Sequence, residues 1–122
     1  MLNMNNIHDL HTHEDEANCP IAKTARLVGD TWTLLIVRDL LSGPKRFGQL
    51  QDSLGSISPK TLSQRLKMLE HAKLINRHAY AEIPPRVEYD LTEKGEALSD
   101  IIQALFDFGE RYLSDTQVLE HA

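Results

Sequence analysis

Between Lys73 and Thr92 the sequence changes its period, and it does so once. Up to Lys73 apolar residues recur at three- and four-residue spacing, the mark of helices buried on one face. Over 75–82 and again over 86–91 the residues favour strands, with Tyr80, Val87 and Tyr89 among them, and Ile83-Pro84-Pro85 lies between the two runs. Proline gives no N–H to a strand ladder and is kept out of strand interiors, so the pair marks the tip of a hairpin. After Thr92 the helical period returns. Such a chain folds as helices with a single two-stranded hairpin, and its 122 residues, 41% of them hydrophobic, suit one domain with a real core.

The helices can be placed by their start and stop signals. Cys19-Pro20 reads as an N-cap followed by a first helical position, with Ile21, Ala25 and Val28 forming a buried face and Gly29 ending the helix. Asp30 caps the next helix, whose Trp32, Leu35, Ile36, Leu40 and Leu41 form a core stripe stopped by Gly43-Pro44. A short third helix near 46–54 buries Phe47, Leu50 and Leu54, and Gly55 closes it. Ser58-Pro59 then opens a fourth. Its Leu62, Leu66 and Leu69 fall on one face, while Lys60, Gln64 and Lys67 repeat the same spacing on the opposite one, beside Thr61 and Arg65. Thr92 caps a last, continuous helix that is apolar over most of its circumference.

A leading helix, three helices, a hairpin and a final helix make a winged helix-turn-helix layout, mainly α with a β-hairpin wing. In that layout the second helix of the turn motif enters the major groove of DNA and the wing reaches the neighbouring backbone or minor groove. Charge agrees with the layout. The formal charge is −5, yet residues 43–78 hold seven bases against two acids, whereas residues 1–16 carry four acids and no base and residues 90–122 come to −6. Acidic ends would be repelled by a polyanion, so only the middle of the chain can face one.

Other chemistry is poorly supported. Cys19 is the only cysteine, so neither an internal disulfide nor a cysteine-based zinc site can form. The longest purely apolar run, 34–37, is far short of the roughly 20 residues that cross a bilayer, and the first sixteen residues do not read as a signal peptide. These features point to a cytoplasmic protein with no membrane partner. His8, His11 and His13 lie in a polar stretch read as a flexible arm, which offers a metal no fixed geometry, and His71 and His78 read as surface or hairpin residues. There is no Gly-rich phosphate loop and no HExxH, and a Cys19–histidine nucleophile would sit on a small helical core without a cleft. The expectation is a non-enzyme with no cofactor and no metal.

Three blocks carry a resemblance. CPIAKTARLVGDTWTLLIVRDLLSGPKRFGQL, SISPKTLSQRLKMLEHAKLINR and PPRVEYDLTEKGEAL, in that order, resemble the HxlR family of bacterial winged-helix transcription regulators, itself similar to the MarR group. The resemblance spans roughly residues 19–112 and is most specific in the block ending the fourth helix and in the wing pattern P-x-V-x-Y-x-L-T-x-x-G. It implies a homodimer on a palindromic operator in double-stranded DNA. It also places Cys19 at the family's N-terminal cysteine, in some members a redox or electrophile sensor. This chain departs from the pattern in having eighteen residues before that cysteine.

The domains expected are therefore an arm at 1–18, the winged helix-turn-helix domain at 19–114 with dimerisation helices at both ends, and a tail at 115–122. Candidate DNA-binding residues are Arg46, Ser58, Lys60, Thr61, Ser63, Gln64, Arg65, Lys67 and Arg86. Gln64 can pair with adenine and Arg65 with guanine, Lys67 suits phosphate, and Arg86 follows two prolines that stiffen the hairpin tip. Ile101, Ile102, Leu105, Phe106 and Phe108 are the candidate dimer contacts, since a helix apolar most of the way round must be buried on two sides. Cys19, at a helix N-terminus with Lys23 one turn on, is the candidate sensor. Two alternatives stay open on the residues alone: a protein-interaction module built on the last helix, and a regulator that answers a small ligand without cysteine chemistry.

Overall fold

A computed structural model of the chain describes residues 18–114. The expected arm, except Asn18, lies outside the described residues together with His8, His11 and His13, and so does the expected tail at 115–122.

Pro20 opens α1 (Pro20–Val28), with Cys19 at its N-cap. Asp30 caps α2 (Thr31–Leu40) by accepting a hydrogen bond from the Thr33 amide. A two-residue strand, β1 (Lys45–Arg46), leads into α3 (Phe47–Leu54). Ser58 and Pro59 start α4 (Pro59–His71), as their chemistry predicts. The wing is β2 (Ile75–Tyr80) and β3 (Arg86–Leu91), with a cis Ile83–Pro84 peptide bond at its tip. α5 (Glu93–Glu96) and α6 (Ser99–Tyr112) complete the described chain.

α2 runs through the centre and packs on α1, α3, α4, α6 and the wing. Ile36, Val37 and Leu40 of α2, Leu50 and Leu54 of α3, and Leu62, Leu66 and Leu69 of α4 form the core with Leu74 and Ile75. Each such aliphatic side chain stabilises the fold by about 1.5–3 kcal/mol on burial, so the leucine face of α4 is what fixes its outer face toward solvent.

The change of period at Lys73 has a local cause. The Leu74 amide donates to Leu69 O and the Lys73 amide to Glu70 O, each at 3.0 Å. This pair of bonds is a Schellman cap, and the apolar contact that accompanies it is between Leu69 and Leu74, both buried. Lys73 sits in the left-handed region at φ 65°, where glycine is usual. The start of α5 is then clamped onto this turn. Thr92 Oγ1 donates to Lys73 O at 2.6 Å, the Thr92 amide to Leu74 O at 3.0 Å, and Lys94 Nζ to Ala72 O at 2.8 Å. The wing therefore begins and ends on one spot beside the C-terminus of α4.

Three expectations need correction. The hairpin wing has its two strands, but the sheet is not confined to it: β1 pairs antiparallel with β3, Lys45 opposite Tyr89 and Arg46 opposite Glu88, giving a three-stranded sheet of order β1-β3-β2. A two-residue strand carries no period to detect. The helix after Thr92 is not continuous. Ala97 and Leu98 keep helical dihedrals, but the Leu98 amide reaches back only three residues, to Gly95 O, and this tighter turn separates α5 from α6. Finally, the Ile21, Ala25, Val28 face of α1 is not buried as a whole. Val28 is, but Ala25 is exposed and Ile21 is 57% exposed, because no described element covers that end of the helix. No described helix is long and apolar enough to cross a membrane.

Candidate nucleic-acid interface

With its leucines inward, α4 turns Lys60, Gln64 and Lys67 fully outward and leaves Thr61, Ser63 and Arg65 half-buried along the edges. Among the described residues, the side chains of Lys60, Gln64 and Lys67 have no hydrogen-bond or ion-pair partner. Three donors held outward on a rigid helix, with no acid before Glu70, suit the acceptor edges of bases and phosphate oxygens. Ser58 and Thr61 are occupied with each other: Ser58 Oγ accepts from the Thr61 amide and donates to Thr61 Oγ1, both at 3.0 Å. Arg46, exposed at the N-cap of α3, has its backbone N–H held by Gln49 Oε1 at 2.8 Å.

Two of the expected DNA-binding arginines are paired within the protein. Arg65 Nε donates to Asp30 Oδ2 at 2.8 Å and its Nη2 to Asp30 Oδ1 at 3.3 Å. Asp30 also accepts from the amide and hydroxyl of Thr33. The Arg65 hydrogen bond is the main reason that the Asp30 carboxyl is held below its ordinary value, and Asp30 in turn raises Arg65. Arg86 does not project from the hairpin tip. Its guanidinium lies 4.0 Å from the centroid of the Tyr80 ring, donates to Glu82 Oε2 at 2.7 Å and to Glu88 Oε2 at 2.8 Å, and is raised above its ordinary value chiefly by Glu82. Lower on the wing, Asp90 holds Asn76 and His78, both at 3.0 Å.

Sequence reasoning read Asp30 as a helix cap only and missed its reach to α4, thirty-five residues on. It also left Arg77 out of the site. Arg77 lines a cleft of about 320 Å³ between α4 and the sheet, together with Ser63, Lys67, Glu70 and Tyr89. Its place in the basic segment was the available signal.

α6, which packs on α2, has no fully buried residue. Ile101 and Ile102 are half-buried against the core, but Leu105, Phe106, Phe108 and Tyr112 are 48%, 62%, 57% and 62% exposed. Two apolar grooves flank it. One, of about 580 Å³, runs along Leu34, Leu35 and Phe106, and the other, of about 540 Å³, lies between α1 and α6 over Ile21, Ala25, Ile101 and Leu105. Cys19 is half-buried at the head of α1, its carbonyl accepting from the Lys23 amide and its thiol making no cap hydrogen bond.

Known proteins share this architecture. An HxlR-like helix-turn-helix model matches residues 27–117. The uncharacterised HTH-type transcriptional regulator sll1512 of Synechocystis sp. is 43% identical over 95 residues, 78% of this chain and 70% of that protein. A chain from Porphyromonas gingivalis W83 ascribed to the MarR family of transcriptional regulators superposes with a TM-score of 0.78 at 39% identity, over 83% of this chain and 98% of that one. The redox regulator HypR in its oxidised form gives a TM-score of 0.73 at 32% identity, over 76% of this chain and 96% of its own. By its matched sequence, its winged fold and the outward donors of α4, this chain belongs to the HxlR family of helix-turn-helix transcriptional regulators.

Proposed function

We propose that the protein binds a palindromic DNA operator in the cytoplasm as a homodimer, with α4 in the major groove of each half-site. The observation that carries this reading is the unpartnered outer row of α4, where Lys60 and Gln64 are aimed at base edges and Lys67 at phosphate. Gln64 suits the N6/N7 edge of adenine and Lys60 the O6/N7 edge of guanine. Thr61, Ser58 and Ser63 add shorter contacts at the near strand, and Arg46 stands at the flank. Arg86 holds the wing in shape from within its two carboxylates and the Tyr80 ring.

The second half of the reading is the twofold. A face bearing Leu105, Phe106, Phe108 and Tyr112 beside the open Ile21 end of α1 is larger than a lone chain covers, and a second copy supplies the cover. The two α4 helices then meet successive major-groove faces about 34 Å apart. In this reading Cys19 is the oxidant-sensing group at this seam, supported by α1, which it caps, bordering the same groove as Ile101 and Leu105. With one cysteine per chain, diamide would join it to Cys19 of the partner subunit, the two thiols giving up two protons and two electrons to the N=N bond of the reagent.

The test begins with selection of duplexes from a random pool by the purified protein. An inverted repeat should be enriched, and two chains should bind each duplex with an affinity that falls steeply between about 50 and about 200 mM salt. A pool without enrichment, bound equally at all salt concentrations, would sink the DNA reading. Phe106→Asp should give a monomer by light scattering and lose the operator, whereas a wild type monomeric at micromolar concentration would remove the dimer. Diamide should release wild type from the duplex but not Cys19→Ser; identical responses would remove Cys19 as the sensor.

A further inference from the structure

We infer that Arg65 is a positioning residue of the DNA-binding surface and that Asp30 is its anchor: the pair sets the angle of α4 against the start of α2, and base reading is left to the outward row. The inference rests on the DNA-binding reading above.

Arg65 lies on the edge of α4 next to Gln64, a position from which a free guanidinium would reach guanine. Both its Nε and its Nη2 are instead directed at the two Asp30 oxygens, at 2.8 and 3.3 Å. Its side chain is 29% exposed, against 39% for Asp30, so the pair stands at the margin of the surface rather than in the core. Asp30 is itself held in place. It caps α2 through the amide of Thr33 and receives the hydroxyl of the same residue, which is fully buried. A two-pronged guanidinium–carboxylate contact constrains direction as well as distance. It therefore fixes rotation of α4 about its own axis, which the leucine face alone would leave softer. A further consequence is electrostatic. Without Arg65, a bare carboxylate would stand beside the surface that phosphates approach.

This assignment orders four proteins in a way that a base-reading Arg65 does not. The probe is the duplex selected by wild type, and the measurements are anisotropy titrations against it and against each single base-pair variant of it. Asp30→Asn keeps the cap, since asparagine caps as well as aspartate, and removes only the charge. Operator affinity should fall about three- to tenfold by the same factor on every duplex, leaving the base preferences as in wild type. Arg65→Ala should fall further, because Asp30 is then unpaired. The double variant Asp30→Asn/Arg65→Ala should recover part of that loss. The salt slope should stay that of wild type throughout, and Arg65→Lys, which keeps the charge but cannot make the two-pronged contact, should recover only part of the Arg65→Ala loss without changing preference.

If Arg65 reads DNA, Asp30 merely competes for it. Asp30→Asn would then bind more tightly than wild type, Arg65→Ala would flatten preference at one base pair, and the double variant would be no better than Arg65→Ala. A salt slope reduced by about one unit in Arg65→Ala would make it a phosphate contact. Any of these overturns the positioning role. Failure of the DNA-binding reading itself would be seen separately, as a wild type with no salt-dependent preference to compare against. Circular dichroism melts of each variant identify loss of fold.

Discussion

Adding a single methyl group at Gly95 tests how the wing is fastened. Gly95 is buried in α5, and its amide donates to Thr92 Oγ1 at 3.1 Å. A Cβ there would overlap the carbonyl oxygen of Leu74 and come within 3.1 Å of its carbon and 3.0 Å of Leu91 Cδ2. The Leu74 carbonyl cannot yield easily, because it accepts from the Thr92 amide and follows the Schellman turn. Alanine is the better helix former by about 0.5–1 kcal/mol. Overpacking costs about 1–3 kcal/mol, and overlap with a fixed backbone oxygen belongs in the upper half of that range, so the expected net loss is about 1–2.5 kcal/mol. In a domain of this size each kcal/mol moves the midpoint by about 4–8 °C, which puts Gly95→Ala about 4–20 °C below wild type. The assay is a circular dichroism melt at one fixed protein concentration, because a dimer's midpoint depends on it. Gly48→Ala in α3 is the control, since nothing lies within 4 Å of its added Cβ. That variant should melt at or slightly above wild type. A Gly95→Ala protein as stable as the Gly48→Ala control would refute the close packing of α5 on the turn after α4.

Other expected outcomes follow from the same geometry. Lys73→Gly should raise the urea midpoint by the equivalent of about 0.5–1 kcal/mol at unchanged m, because Lys73 holds a left-handed φ of 65°; a lower midpoint would mean that its side chain matters more than its backbone. The Asp30 carboxyl is depressed in the folded state, first by its Arg65 hydrogen bond, so the pair's stabilisation is complete above the unfolded carboxyl value of about 3.9 and is lost as pH falls through the lower folded value. The melting difference between wild type and Asp30→Asn, about 0.5–1 kcal/mol for so exposed a pair, should be constant from about pH 5 to pH 8 and shrink below about pH 4. A difference that grows on acidification would contradict that sign.

Much of this fold was legible because its signals are local. Ser58-Pro59 announces a helix start through three local features: a hydroxyl acceptor, a missing N–H and a preset φ. The leucines of α4 and the prolines of the wing tip are equally explicit. The parts that were not legible depend on distant partners or on very short spans. β1 is two residues long and acquires its identity only from Tyr89 and Glu88 across the sheet. Asp30 signals a cap so well that its second role, holding Arg65, leaves no separate trace. Arg86 reads as a free cation beside prolines until the hairpin folds Glu82, Glu88 and Tyr80 around it. Ile21 has the spacing of a core residue, yet among the described residues nothing covers it.

Gln64 offers the most direct access to the function of α4, because its side chain is exposed, uncharged and without a described partner, so its loss alters neither fold nor field. The measurement is the affinity of Gln64→Ala for the selected duplex and for every single base-pair variant of it, at one salt concentration. Loss of about 1–3 kcal/mol on the selected duplex is expected, with preference relaxed at one base pair of each half-site and binding to unrelated DNA unchanged. Affinity and preference equal to wild type would mean that α4 does not read the groove.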